Sequence, residues 1–330
     1  MIRTRVIGTG SYLPERVVTN EEIALSVGVP PARIQRLTGI QERRWAAEHE
    51  APSDMAIQAS RRALDAAGCQ ATDIDAIILS TTSADMVFPS TACFVQRGLG
   101  CRGVGTFDVS ASCSGFLYGL SMAQAMIQSG QIGTCLVAAA EVKSRFLDPH
   151  DEATALLFGD GAGAVLLRGE EDRNPDWHGV WAVRLYSDGS RHALIRVSAG
   201  GSRAPSSPDT LARREHVLRM QGASLFRSAT RRIRRAVQDL LKEFGLRIDD
   251  IEQVVLHQAN GRILTHVAEG LGIPQNKVAS VIERYGNTSS ASLPIALDAS
   301  LREGRIKSGN LVLLGSFGGG LTWATSLVRW

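Results

Sequence analysis

A chain of 330 residues is longer than one hydrophobic core usually supports, so two domains or two fused halves are expected. Its 44% hydrophobic and 21% charged content exclude a disordered or fibrous protein, and a formal net charge of +3 is too small to indicate nucleic-acid binding. The five cysteines (Cys69, Cys93, Cys101, Cys113 and Cys135) are odd in number and form no CxxC pair, which predicts free thiols in a reducing cytoplasm rather than a disulfide framework.

The amino-terminal MIRTRVIGTGSYLP has only a short apolar patch before Gly8 and Gly10, and reads as a first strand rather than a signal peptide. No apolar run is long enough to span a membrane, so no membrane partner is expected. Ala63 to Ser80 (ALDAAGCQATDIDAIILS) reads as a helix, a glycine stop at Gly68, an acidic turn and an apolar strand. Gly103 to Val109 predicts a short strand, and Ser114 to Ser129 a mostly apolar helix closed by Gly130. Cys113 falls where strand turns into helix. Unpaired N–H groups and the positive end of the helix dipole there lower a thiol pKa and favour the nucleophilic thiolate. A lone cysteine is also commonly a small buried hydrophobe, so its partners must decide.

Those partners come from a repeat. Leu240 to His257 (LLKEFGLRIDDIEQVVLH) matches Ala63 to Ser80, with Gly245 on Gly68, and Asn287 to Gly304 matches Cys113 to Gly130. The strands that follow also correspond, Cys135 to Ala139 with Asn310 to Leu314 and Ala164 to Arg168 with Thr325 to Arg329. The pattern predicts an α/β fold of duplicated halves, residues 1–170 and 215–330, joined by a polar, turn-rich connecting segment at 171–214. Cys113 and Asn287 then occupy equivalent helix starts, and His257 ends a strand. Packing of the halves about a pseudo-twofold axis brings all three together beyond the strand ends, where ligands bind in α/β sheets.

A thiolate, an imidazole and a carboxamide supply one nucleophile and two hydrogen-bond donors able to hold a developing enolate oxygen. Taken singly, His257 could be an ordinary satisfied histidine and Asn287 a helix cap. The glycine runs at 158–163 and 317–320 are each followed by a strand rather than a helix, which argues against a dinucleotide or P-loop site. They read instead as turns where backbone approaches the site, with the Gly319 N–H a second oxyanion donor. Arg227, Arg231, Arg232, Arg234 and Arg235 form a basic stripe on one helix, most simply a solvated face unless an acidic partner exists. No HxH, HExxH or CxxC spacing is present, so no metal is expected.

The motifs DVSASCSGF, LHQANGRI, YGNTSSASLP, FGDGAGA and the terminal FGGGLTWATSLVRW, in this order, resemble 3-oxoacyl-[acyl-carrier-protein] synthase III from end to end. The resemblance implies the thiolase-like, five-layered α-β-α-β-α fold, a homodimer, and a catalytic triad of Cys113, His257 and Asn287. It implies that an acyl-CoA loads Cys113 and that malonyl-ACP condenses with loss of CO₂ to give 3-oxoacyl-ACP, in fatty acid or related polyketide biosynthesis. Phe317 would favour decarboxylation. Thr38, Phe158, Met220, Gly222, Phe226, Arg227, Gln258, Ala259, Asn260 and Arg262 would line the path of CoA and carrier protein, and Phe88 the acyl pocket near the dimer interface. CoA and phosphopantetheine-ACP thioesters are substrates, and no cofactor is implied. The chain departs from the family pattern at Arg33, where an adenine-stacking Trp is usual, at Glu152 in place of its stacking Arg, and at Leu37 in place of another Arg. Loss of the platform and two cations implies a weaker grip on nucleotide and an unusual acyl donor. The alternative on the same fold is an acyltransferase that moves the Cys113 acyl group to an oxygen, nitrogen or non-malonyl acceptor, for which Asn287 has no use.

Overall fold

A computed structural model describes residues 1–171 and 177–330. In chain order it runs β1 (Ile2–Tyr12), β2 (Arg16–Thr19), α1 (Asn20–Val27), α2 (Pro31–Thr38), β3 (Glu42–Trp45), α3 (Pro52–Ala67), β4 (Ala76–Ser80), α4 (Thr91–Leu99), β5 (Gly105–Val109), α5 (Gly115–Gln128), β6 (Thr134–Glu141), α6 (Glu152–Ala155) and β7 (Gly161–Glu171). It continues through β8 (Gly179–Ser187), β9 (Ile195–Val197), α7 (Pro208–Ala212), β10 (Leu218–Met220), α8 (Gly222–Glu243), β11 (Gln253–Leu256), α9 (Gly261–Leu271), α10 (Ile282–Tyr285), α11 (Ser292–Arg302), β12 (Leu311–Gly318) and β13 (Thr322–Arg329).

The continuous apolar runs become strands buried on both faces, as every residue of β4, β6, β11 and β12 is buried. One sheet has the order β1-β7-β6-β4-β5, with β4 parallel to β5 and β6. The other has the order β11-β12-β13-β8, with β11 parallel to β12. Helices α5 and α11 lie between the sheets, α3 and α4 cover the outer face of the first, and α8 with α9 covers the second. The result is the expected α-β-α-β-α stack of duplicated halves. Its central core joins Phe116, Leu120 and Ile127 of α5 to Leu293 and Leu297 of α11 and to Val137 and Val312 from the facing sheets.

Two details differ from the sequence expectation. The segment at 171–214 is more than a connection, because β8 within it pairs antiparallel with β13, Tyr186 opposite Trp323, and closes the second sheet. The repeat also has a different register at the site. Short 3-10 turns, Ser112–Ser114 and Ser289–Ala291, precede α5 and α11, and their first residues share the same positive backbone angle, φ 51° at Ser112 and 53° at Ser289. Cys113 is therefore the counterpart of Ser290, and Asn287 lies earlier on the same loop. Aligning the terminal glycines misplaces the starts because α5 has 14 residues and α11 only 11.

Candidate active site

Cys113 sits in the turn from β5 into α5 and is 6% exposed. The end of β12 lies directly behind it: a Cβ on Gly318 would stand 2.6 Å from the Cys113 backbone nitrogen, so only glycine fits there. His257 follows the last residue of β11, and its N–H donates to the Gly315 carbonyl of β12 at 2.8 Å. Asn287 is clamped by the 158–163 glycine run. Its N–H donates to Leu157 O at 2.8 Å, and the Gly159 N–H donates to Asn287 O at 3.1 Å. A Cβ on Gly159 would stand 2.3 Å from Tyr285 O, which is why that strand can approach so closely.

Cys113, His257, Asn287, Phe317 and Gly319 share one cavity of about 860 Å³. The four side chains are buried, whereas Glu152, Arg227 and Arg262, on the same cavity, are exposed, so the cavity is a channel running from solvent to the thiol. The Phe317 ring meets the His257 ring edge-on, with centroids 5.4 Å apart.

The hydrogen-bond network assigns donors. Ser292 Oγ accepts the Gln258 N–H at 3.2 Å, and its own hydrogen has one acceptor among the described residues, His257 Nδ1 at 2.6 Å. Nδ1 is therefore an acceptor, and Nε2 carries the ring proton as a donor. Burial lowers the His257 pKa to about 3, so the ring is neutral at physiological pH. Asn287 Oδ1 accepts the Ser289 N–H at 2.9 Å, which makes the other terminus the amide nitrogen. Nδ2 gives one hydrogen to Ala259 O at 3.3 Å and keeps a second for a ligand.

Behind the thiol lies a polar cluster. Ser289 Oγ is 3.4 Å from Cys113 Sγ and donates to Glu141 Oε1 at 3.1 Å. Glu141, wholly buried, also accepts from Ser83 Oγ at 2.7 Å and Ser290 Oγ at 2.8 Å, and pairs with Lys143 Nζ at 3.0 Å. Burial would raise its carboxyl, but Lys143 and the hydrogen bonds from Ser83 and Thr82 outweigh burial and hold it below the ordinary carboxylate value. For Cys113 the balance runs the other way. Burial pushes the thiol up, and Ser289 and Lys143 only partly oppose it. The lowered thiol pKa expected from the helix start is not the resting condition, because the low-dielectric surroundings outweigh the dipole.

Thr38, Phe158, Met220, Gly222, Phe226, Arg227, Ala259, Asn260 and Arg262 line the channel, as does Leu37. Two expected residues do not. Gln258 is buried and spends its amide on Leu256 O at 2.7 Å and the Val281 N–H at 3.0 Å, bracing the loop after β11. Phe88 is 85% exposed and lies outside the channel of its own chain. The Gly319 N–H is also not free, since it donates to Ser112 Oγ at 3.0 Å. Arg33 and Glu152, two of the three departures, form an exposed ion pair at 3.3 Å, with Glu152 on the channel wall. Sequence reasoning missed Glu141, Lys143, Ser289 and Ser292. A charge closing the apolar run Cys135–Ala140 of β6 is the available signal for Glu141.

The neutral His257 has a measurable consequence. Its folded pKa of about 3 lies below the ordinary 6.5, so acid protonates the unfolded chain first and stability is lost as pH falls below 6.5. Between pH 6.5 and 5 the loss from this residue is roughly 2 kcal/mol. From denaturant titrations, the unfolding free energy of wild type is expected to fall by that amount relative to His257→Gln over this range. Parallel pH profiles would show that His257 titrates normally.

Two family models match, 3-oxoacyl-[acyl-carrier-protein (ACP)] synthase III over residues 107–189 and its C-terminal model over 241–330. Beta-ketoacyl-[acyl-carrier-protein] synthase III of Rhodospirillum rubrum is 47% identical over 331 residues, covering 100% of both chains. The crystal structure of 3-oxoacyl-[acyl-carrier-protein] synthase III from Aquifex aeolicus superposes with a TM-score of 0.90 at 41% identity, over 99% of this chain and 100% of that one. The priming beta-ketosynthase of the R1128 polyketide pathway superposes equally well, TM-score 0.90, at 34% identity over 99% and 96% of the two chains. With the thiolase fold, a buried cysteine at the end of a channel and full-length relatives of one kind, the chain belongs to the 3-oxoacyl-[acyl-carrier-protein] synthase III family and is a condensing enzyme of the acyltransferase class.

Proposed function

We propose that this chain joins an acyl group, carried on Cys113, to malonyl-ACP, releasing CO₂ and 3-oxoacyl-ACP. The observation that carries the assignment is the pairing of a buried thiol with two oriented donors, His257 Nε2–H and Asn287 Nδ2–H, on one channel. Cys113 Sγ attacks the thioester carbonyl of the acyl donor, the bond to the CoA sulfur breaks, and the thiol proton leaves with CoA. Malonyl-ACP then enters the same channel. As its C–CO₂ bond breaks, the electron pair passes into the thioester, and the enolate oxygen is held by the His257 and Asn287 donors. The enolate carbon attacks the acyl carbonyl, the C–Sγ bond breaks, and the thiolate recovers a proton from solvent. The reaction balances without a cofactor. A simple acyltransferase needs no such donor pair, which favours condensation over transfer to another acceptor.

Gly319 and Ser112 act together at the acyl oxyanion, Ser112 yielding the Gly319 N–H when an acyl group arrives. Arg227 and Arg262 at the exposed end meet the acidic carrier protein. Arg232 and Arg235 contribute less, since they already pair with Asp188 and Asp239. Two copies associate through the loop of Met86, Val87 and Phe88, which are 47%, 98% and 85% exposed and offer an apolar surface for a partner copy. The halves meet between 170 and 215, and the protein works in the cytoplasm.

The direct test is mass spectrometry of the Cys113 peptide after incubation with acyl-CoA and acyl-ACP donors, followed by malonyl-ACP. One acyl mass is expected on Cys113, none on Cys113→Ala, and conversion to 3-oxoacyl-ACP on the second addition. Loading that malonyl-ACP fails to discharge would instead favour transfer to another acceptor.

A further inference from the structure

Two cavities meet at Cys113. The channel must admit the acyl donor and then malonyl-ACP, so an acyl group waiting on Sγ belongs in the other. That placement rests on the condensing role proposed above. The second cavity is about 240 Å³, roughly eight water-sized volumes, which suits an acyl group of about seven or eight non-hydrogen atoms.

Its lining is not that of a hydrocarbon pocket. Phe146, Phe158, Ile195, Val197 and Leu218 form apolar wall, but Thr82, Lys143 and Arg196 also face it, and among the described lining residues there are two cations and no carboxylate. The Lys143 side chain is 9% exposed and donates to Thr82 Oγ1 at 2.5 Å and to Glu141 Oε2 at 3.0 Å. Those contacts use two of the three ammonium hydrogens. Glu141 does not line the cavity and is saturated by the hydroxyls behind it. The Arg196 guanidinium donates to Ser198 Oγ at 3.1 Å and Ala193 O at 2.7 Å, both neutral, and has no carboxylate partner among the described residues. Glu141 balances Lys143, while Arg196 leaves a net positive charge on the cavity. An apolar tail would gain burial against the apolar wall but would strip water from Lys143 and supply no acceptor, and it would leave the exposed Arg196 unmatched. A carboxylate would accept the third Lys143 hydrogen and meet Arg196, recovering its own desolvation through two charge-assisted hydrogen bonds.

We propose that the acyl donor is a short dicarboxylic acid held as its monothioester, of about four or five carbons, with its free carboxylate set between Lys143 and Arg196. Loading forms the Sγ–C bond at the thioester end, breaks the C–S bond to the carrier and leaves the distal carboxylate unchanged.

The test compares succinyl and glutaryl thioesters with butyryl and valeryl thioesters of matched length, each offered on CoA and on carrier protein, with acetyl-CoA as reference. Acylation of Cys113 in the full-length protein is read as kcat/KM. The dicarboxylic donors are expected to be about tenfold or more faster. Arg196→Met, and separately Lys143→Met combined with Glu141→Gln so that no buried charge is left unpaired, are each expected to erase most of that preference. If the double variant does not fold, the wild-type comparison and Arg196→Met decide. Butyryl or valeryl donors that match the dicarboxylic ones, or a preference unmoved by Arg196→Met, overturn the inference. In that case acetyl loading discharged by malonyl-ACP leaves the condensing role standing, whereas a Cys113 that no donor acylates removes both.

Discussion

Asn287→Ala is expected to leave acylation of Cys113 within about threefold of wild type while slowing decarboxylative condensation by about 10²–10³-fold. The split follows from where the side chain points. Asn287 Nδ2 has one hydrogen on Ala259 O and a second with no acceptor among the described residues, while its Oδ1 anchors the Ser289 N–H. In the proposed mechanism the acylation half-reaction develops charge on a carbonyl bound to Cys113, whereas the donor pair holds the enolate formed from malonyl-ACP. Removing one donor from a water-poor site costs the stabilisation of that charge and little else. His257→Ala should give the same pattern, since the neutral ring acts as a hydrogen-bond donor and not as an acid. The check is single-turnover kinetics, with Cys113 acylation followed by mass and condensation by CO₂ release. Equal losses in both half-reactions would place Asn287 in the acylation machinery and undo the assignment.

Glu141→Ala is expected to destabilise the fold by about 3–5 kcal/mol, the cost of leaving a buried charge without its partner. Glu141 accepts hydrogen bonds from Ser83 and Thr82 of the first half and from Ser289 and Ser290 of the second, and it holds the Lys143 ammonium. It is therefore a hub between the halves as well as the support behind Cys113, which it reaches through Ser289. Combining Glu141→Ala with Lys143→Met removes both charges, and more than half of the lost stability should return. Urea denaturation midpoints of the two variants measure this. A double variant as unstable as the single one would mean that the hydroxyl network, and not the charge pair, is what stabilises this junction.

Much of this architecture is legible in the chain. The apolar runs at Ala76–Ser80 and Cys135–Ala140 specify strands buried on both faces because residues of that kind have nowhere else to go in a duplicated α/β protein. Glycine stops at Gly68 and Gly130, both at positive φ, mark helix ends for the same local reason. Cys113, His257 and Asn287 are singled out in the sequence because each sits beside a strand end or helix start in a distinctive motif, and the structure brings the three to one channel. Tertiary structure alone decided the rest. The raised Cys113 thiol and the neutral His257 ring depend on burial by residues distant in sequence, which no local pattern encodes. Whether Gln258 or Phe88 reaches the channel depends on side-chain direction, and both face away. Glu141, Lys143 and Ser289 form one cluster only because β6 and the loop before α11 meet across the interface of the halves. Sequence patterns carry periodicity and local propensity, whereas electrostatics and cavity lining arise from contacts between segments that lie far apart in the chain, from His257 and Ser292 to Cys113 and Ser289.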